Sequence, residues 1–169
     1  RKRLPCHYGP LCLLSGRRNT AYKRTGVYVA HCPQSNTNLS SGIAPVKLYL
    51  EQGIHTGLGT DIAGGHSLSM LRAVADSIQV SKLHWRYIDS NRKPLTFEEA
   101  FYMGTMGGGE FFGKTGSFLE GYEFDAVILD DAYFPHPQSL TVRERLERLT
   151  YLADARCVTG KYVSGTEIF

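Results

Sequence analysis

Gly57-Leu58-Gly59-Thr60-Asp61 combines a short apolar strand pattern with a carboxylate at its end. In a barrel of parallel strands, polar residues at the carboxyl ends of the strands face the active site. Asp61 at such a position could hold a divalent metal and accept a proton from water bound to it. Asp is also a favoured helix N-cap, so the same residue could start the next helix. The pentapeptide alone leaves both interpretations open.

The residues before Asp61 predict two strands joined by a helix. Residues 26–32 form a buried-type strand that Pro33 ends, and residues 36–42 are polar and turn-forming. A helix is expected from Pro45 to just before Gly53, because proline is favoured at the first helical position and glycine at the end. The strand of residues 54–60 follows directly and carries Asp61 beyond its end.

Two further helices are predicted after Asp61. The first covers residues 67–83, and Thr96-Phe97-Glu98-Glu99 is a capping box that opens the second, over residues 97–106. Gly107-Gly108-Gly109 is expected to break the second helix. The first helix has an apolar side formed by Leu68, Leu71, Val74, Ala75 and Ile78. Strands and helices that alternate with short connections favour a parallel sheet covered by helices.

The pattern changes after about residue 115. Residues 116–122 are turn-like, residues 124–130 predict a strand, and Thr141 caps a short helix. Residues 158–169 read as a closing hairpin. The regular alternation of strand and helix in the first part of the chain therefore does not continue here.

Composition restricts the classes of protein that fit. The chain has 169 residues, 42% of them hydrophobic, and no apolar run long enough to cross a bilayer. Its four cysteines show no paired spacing, which favours reduced thiols and a cytoplasmic location. Residues 1–24 hold seven basic residues and no acid, whereas residues 25–169 hold 12 basic and 16 acidic residues. Such a basic arm could contact nucleic-acid phosphates, which is the least favoured alternative.

Several segments in the right order resemble one family. His31-Cys32-Pro33-Gln34-Ser35-Asn36 resembles the seventh-strand segment of amidohydrolase-superfamily deaminases, and Gly57 to Asp61 resembles their eighth-strand end. Residues 61–71 are most similar to the guanine deaminase family. Residues 116–126 resemble the passage where that family's chain leaves the barrel for a small β domain. The resemblance covers residues 23–169.

The resemblance implies a fold and an activity. The fold is α/β: the C-terminal part of a TIM-type (β/α)₈ barrel plus part of a small β domain. The activity is hydrolysis of guanine to xanthine and ammonia in purine catabolism, with one Zn²⁺ per active site. Asp61 is implied to be both the metal ligand and the catalytic base. A homodimer is implied for the full-length enzyme, with no nucleic-acid or membrane partner.

The chain also departs from this family. A full barrel needs about 250 residues, and the family's other zinc ligands, a His-x-His pair and a fifth-strand histidine, have no counterpart here. We therefore expect a C-terminal fragment that is inactive alone. Three segments are predicted: residues 1–22, an irregular basic arm; residues 23–115, the C-terminal strands and helices of the barrel; and residues 116–169, the β-domain portion. Residues 1–22 match nothing in the family, and we interpret them as a frame-shifted reading of the sixth strand.

Further residues near these motifs are expected to have roles outside the catalytic chemistry. A structural or indirect role is expected for His31, burial for Cys32, a core position for His55 and a surface position for His66. Asn38 is expected to bond loop backbone. The alternative functions are a related deaminase acting on another purine, a pterin or a triazine, and a non-catalytic truncated protein.

Overall fold

A parallel sheet of three short strands forms the first half of the protein. The structure, a computed structural model, describes residues 26–169 and the backbone of residues 6–7. The strands lie in the order β1–β2–β3, and the register pairs His31 with Leu58, so that β2 and β3 end side by side. Their bounds are Cys6–His7 for β1, Tyr28–His31 for β2 and Thr56–Leu58 for β3.

Five helices accompany this sheet within residues 26–169. Two of them connect β2 to β3, as a crossover between parallel neighbours requires. Pro33 stands at the start of the first, where its missing N–H has no helical partner to lose. Ser69 caps the longest helix, and Thr96 with Glu99 closes a capping box on the next. Their bounds are Pro33–Asn38 (α1), Val46–Glu51 (α2), Met70–Tyr87 (α3), Phe97–Gly104 (α4) and Met106–Gly109 (α5). None of the helices in the described residues has the length and apolar character of a membrane span.

The main core lies between the parallel sheet and helices α2, α3 and α4. Tyr49, Ala100 and Met103 are fully buried at its centre, and Val29 joins it from β2. Burying a large apolar side chain contributes about 1.5–3 kcal/mol. The core therefore fixes β2 and β3, whose carboxyl ends carry the candidate site.

A small antiparallel sheet forms the second half. Its strands lie in the order β4–β5–β6, and Ile128 of the first pairs with Gly160 of the second. A capping box of Thr141 and Glu144 opens helix α6, which packs against α3. The bounds are Ala126–Leu129 (β4), Val142–Leu152 (α6), Val158–Val163 (β5) and Thr166–Glu167 (β6), with a 3₁₀ turn at Ala155–Cys157.

The structure confirms the parallel sheet covered by helices and corrects the sequence analysis at three places. Helix α1 begins at Pro33 and includes residues 36–38, which were expected to belong to a turn-forming segment over residues 36–42. Gly107-Gly108-Gly109 does not simply break a helix, because these residues form most of α5. Leu68 was placed on the apolar side of α3 but is 75% exposed, since α3 begins only at Met70.

The interpretation of residues 1–22 as a frame-shifted, irregular basic arm lies outside the described residues, apart from β1. There the backbone of Cys6–His7 pairs in parallel with Tyr28 and Val29 of β2, where the sequence predicted no regular structure. The frame shift, the division at residues 115 and 116, and the nucleic-acid alternative stay predictions.

Helix α5 packs so closely on β3 that a side chain does not fit between them. A Cβ added at Gly57 would lie 2.7 Å from the Cα atom of Gly108. We expect Gly57→Ala to lower the free energy of unfolding by about 2 kcal/mol, since overpacking against backbone cannot relax by rotamer change. Urea unfolding followed by circular dichroism measures this.

Gly160→Ala is the matched control for this substitution. A Cβ there would meet only the Ile128 side chain, at 3.0 Å, and that side chain can rotate. We expect the control to lose less than half as much stability as Gly57→Ala. Equal losses would contradict the packing argument.

Candidate functional site

Asp61 follows the end of β3 by three positions, and its side chain is exposed. Its φ of 46° lies in the left-handed region, which Asp adopts more readily than most residues other than glycine. Its carbonyl accepts a hydrogen bond from the Gly65 N–H at 2.7 Å, which closes a tight turn. The N-cap interpretation is wrong, because Ser69 caps α3. The turn of residues 61–65 is called the Asp61 turn below.

The Asp61 turn is packed tightly against α1. A Cβ added at Gly64 would lie 2.6 Å from Ser35 Oγ and 3.1 Å from Asp61 Oδ2. A Cβ at Gly65 would lie 2.0 Å from the Thr60 carbonyl oxygen. The two glycines therefore allow the chain to fold back beneath the Asp61 carboxylate.

Cys32 lies beside this turn, at the end of β2. Burial raises the pKa of its thiol to about 11, and the nearby Asp61 charge adds to the rise. The thiol is therefore protonated at neutral pH, which does not suit a nucleophile. The predicted burial of Cys32 is confirmed.

His31, the last residue of β2, is only 3% exposed. Burial lowers its pKa to about 4, so its ring is neutral at pH 7. Within the described part of the chain, its Nδ1 atom has no hydrogen-bond partner. A buried, neutral ring fits a structural role.

Helix α1 supplies polar contacts to the Asp61 turn that the sequence analysis partly missed. The Asn38 amide donates to the Gly64 carbonyl oxygen at 2.9 Å, as its predicted role requires. The Gln34 carboxamide, which was not singled out, contacts both the backbone of Ser67 and the carboxylate of Asp76. One signal was available, because Asp76 falls within the apolar stretch of α3, where a carboxylate needs a partner.

Two other histidines, His55 and His66, are exposed, and His55 lies at the opposite end of β3 from Asp61. His55 was predicted to be a core residue, but it is exposed and precedes β3, at the opposite end from Asp61. Its ring stacks on Tyr28 with centroids 4.6 Å apart, and its Nδ1 lies 3.0 Å from Glu110 Oε2. His66 is exposed, as predicted.

These residues do not form a complete metal site. In the described part of the chain, no group of three or more His, Cys, Asp or Glu side chains could hold a metal ion. A catalytic zinc takes three protein ligands and one open position. Asp61 is an exposed carboxylate beyond the end of β3, and a carboxylate is one of the side chains that can supply such a ligand.

The proteins to which this chain is similar include guanine deaminases. The chain is 39% identical over 147 residues to a guanine deaminase of Dictyostelium discoideum, covering 83% of this chain and 32% of that protein. The guanine deaminase of C. acetobutylicum, solved with guanine in its active site, is 44% identical with a TM-score of 0.89. That match covers 97% of this chain and 38% of the other.

A more distant solved structure carries a metal. An adenosine deaminase from Xanthomonas campestris with bound zinc is 25% identical with a TM-score of 0.77, over 93% of this chain and 35% of that one. The chain thus spans about a third of the length of the proteins it matches. The model of the amidohydrolase family matches residues 10–168. This chain therefore belongs to the amidohydrolase family.

Proposed function

We propose that these residues form the C-terminal part of the barrel of a guanine deaminase, in which Asp61 is a ligand of a catalytic zinc. The observation that carries the proposal is the exposed Asp61 carboxylate just beyond β3, beside the end of β2. Polar residues at this edge of a parallel barrel are placed for catalysis. The remaining ligands come from outside the described residues.

The proposed reaction adds water to guanine and releases ammonia, leaving xanthine. Zinc, when bound, lowers the pKa of water into the neutral range. The water oxygen would bond to the ring carbon that bears the amino group, and Asp61 would accept the proton that this water loses. A positioned base of this kind contributes about 10²–10⁴-fold to the rate. Cys32 and His31 are both neutral at pH 7, so neither adds a charge at the end of β2.

Guanine is favoured over other substrates by the pattern of similarity. Proteins named guanine deaminase reach 39% and 44% identity to this chain, whereas a 5-methylthioadenosine/S-adenosylhomocysteine deaminase of Bacillus cytotoxicus reaches 33% and the adenosine deaminase reaches 25%. A homodimer and a cytoplasmic location belong to the same proposal.

A hybrid protein tests the proposal directly. Residues 26–169 of this chain would replace the matching part of the C. acetobutylicum enzyme, whose structure is similar enough for an exchange of this kind. We expect the hybrid to bind about one zinc per chain, as a catalytic site of this type does, and to convert guanine to xanthine, followed by absorbance. The isolated 169-residue chain should do neither.

Two outcomes would count against the proposal. A folded, zinc-loaded hybrid that deaminates adenosine in preference to guanine would favour the related-deaminase alternative. Turnover of guanine by the isolated chain would show that these 169 residues form a sufficient site by themselves, against the proposal that they supply only part of it.

A further inference from the structure

A buried polar contact connects helix α1, helix α3 and the segment that follows the Asp61 turn. Gln34 is 4% exposed and Asp76 is 9% exposed, although they lie 42 positions apart. Gln34 Nε2 donates to Asp76 Oδ2 at 2.6 Å, and Gln34 Oε1 accepts from the Ser67 N–H at 3.1 Å. One side chain thus bonds the segment after the turn to the longest helix.

The direction of the Gln34 carboxamide is fixed by its partners. The Ser67 N–H can only donate, and the Asp76 carboxylate can only accept. A flipped amide would place two donors together at Ser67 and two acceptors together at Asp76. Arg72 donates to the other Asp76 oxygen at 3.0 Å, so the carboxylate is held from both sides.

We propose that Gln34, held by Asp76, is a positioning residue that keeps the Asp61 turn closed and so sets the direction of the Asp61 carboxylate. The importance of Gln34 for catalysis depends on the function proposed above. The contact of Gln34 with Asp76 and Ser67 does not depend on it. Gln34 holds the chain at Ser67, two positions beyond Gly65. The turn closes through a different bond, from the Gly65 N–H to the Asp61 carbonyl oxygen.

Amide hydrogen exchange of the 169-residue chain, read by NMR, tests the proposal without metal or substrate. The reporter is the buried Gly65 amide, which donates its hydrogen bond to the Asp61 carbonyl oxygen and not to Gln34. Gln34→Glu sets two carboxylates against each other. Gln34→Met removes both bonds with little change in size. We expect either variant to speed Gly65 exchange by about tenfold, as loss of one ordinary hydrogen bond would.

A swapped pair provides the rescue. In the double variant Gln34→Glu with Asp76→Asn, residue 76 donates to residue 34, which still accepts from Ser67, and Arg72 still finds an oxygen at residue 76. We expect Gly65 exchange to return to within about threefold of the parent rate, because each hydrogen bond again has a donor and an acceptor. A residue that only fills space would not be rescued by exchanging polarity.

The Asp130 amide is the internal control, since it donates to the Cys157 carbonyl oxygen near the small antiparallel sheet. Its exchange should stay unchanged in all variants. Three results would overturn the proposal: unchanged Gly65 exchange in Gln34→Glu and Gln34→Met, equal acceleration at Gly65 and Asp130, or no recovery in the swapped pair. A hybrid without guanine turnover would instead contradict the proposed function, so the two failures are distinguishable.

Discussion

Asp61→Ala in the hybrid enzyme should abolish zinc binding and reduce kcat/KM for guanine by at least about 10³-fold, because it removes a metal ligand and a base together. Asp61→Glu keeps the carboxylate but moves it outward by one methylene. We expect this variant to retain zinc and to lose about 10²-fold in kcat, the size expected for a displacement of about 1 Å. Zinc content by elemental analysis and guanine absorbance give both values.

Stability separates this prediction from misfolding. Asp61 is exposed and takes no part in the main core, but its left-handed φ of 46° suits Ala less well than Asp. The free energy of unfolding of Asp61→Ala should therefore fall by only about 1 kcal/mol relative to the parent hybrid, with the cooperative transition retained. Glu120→Gln, an exposed acidic residue away from the sheet edge, is the control and should keep full activity. If the Asp61→Ala hybrid retains its zinc and its kcat/KM for guanine stays within tenfold of the parent value, the assignment of Asp61 as a zinc ligand is wrong.

The sequence was sufficient for features that depend on local patterns. Short apolar runs located β2 and β3, and helical apolar spacing located α3. The capping boxes at Thr96 and Thr141 marked the starts of α4 and α6, which the structure confirms. The position of Asp61 followed from the same reasoning, because a strand that ends in a carboxylate is visible in a single stretch.

Features that depend on contacts between distant segments could not be predicted. The partner of Gln34 lies in another helix, and the bond exists only because α1 folds where Pro33 suggested an ending. His55 was misplaced because its alternation with apolar residues was read as burial. The glycines of α5 were read as a helix break, whereas their small size serves the close contact with β3 at Gly57.

His31 should make the stability of the chain depend on pH in a defined window. Its pKa is lowered by burial from 6.5 to about 4. Between pH 6.5 and pH 4, His31 is therefore mostly protonated in the unfolded chain but mostly neutral in the folded chain. The stabilisation is fully present above pH 6.5 and is lost as the pH falls toward 4. The expected loss between pH 7 and pH 4 is about 3 kcal/mol, since each pKa unit corresponds to about 1.36 kcal/mol.

Carboxylates also titrate in this range, so the effect is defined as a difference between variants. His31→Gln and His31→Leu cannot take up the proton, and the gap between either variant and the parent should change by about 3 kcal/mol in favour of the variant as the pH falls from 7 to 4. Urea unfolding at several pH values measures the gap.

His66→Gln, at an exposed position, is the control for replacing a histidine ring by an amide. A parallel course for His31→Gln and the parent would mean that the His31 ring takes up its proton equally well in the folded chain. The burial argument for a neutral His31 ring at the end of β2 would then fail.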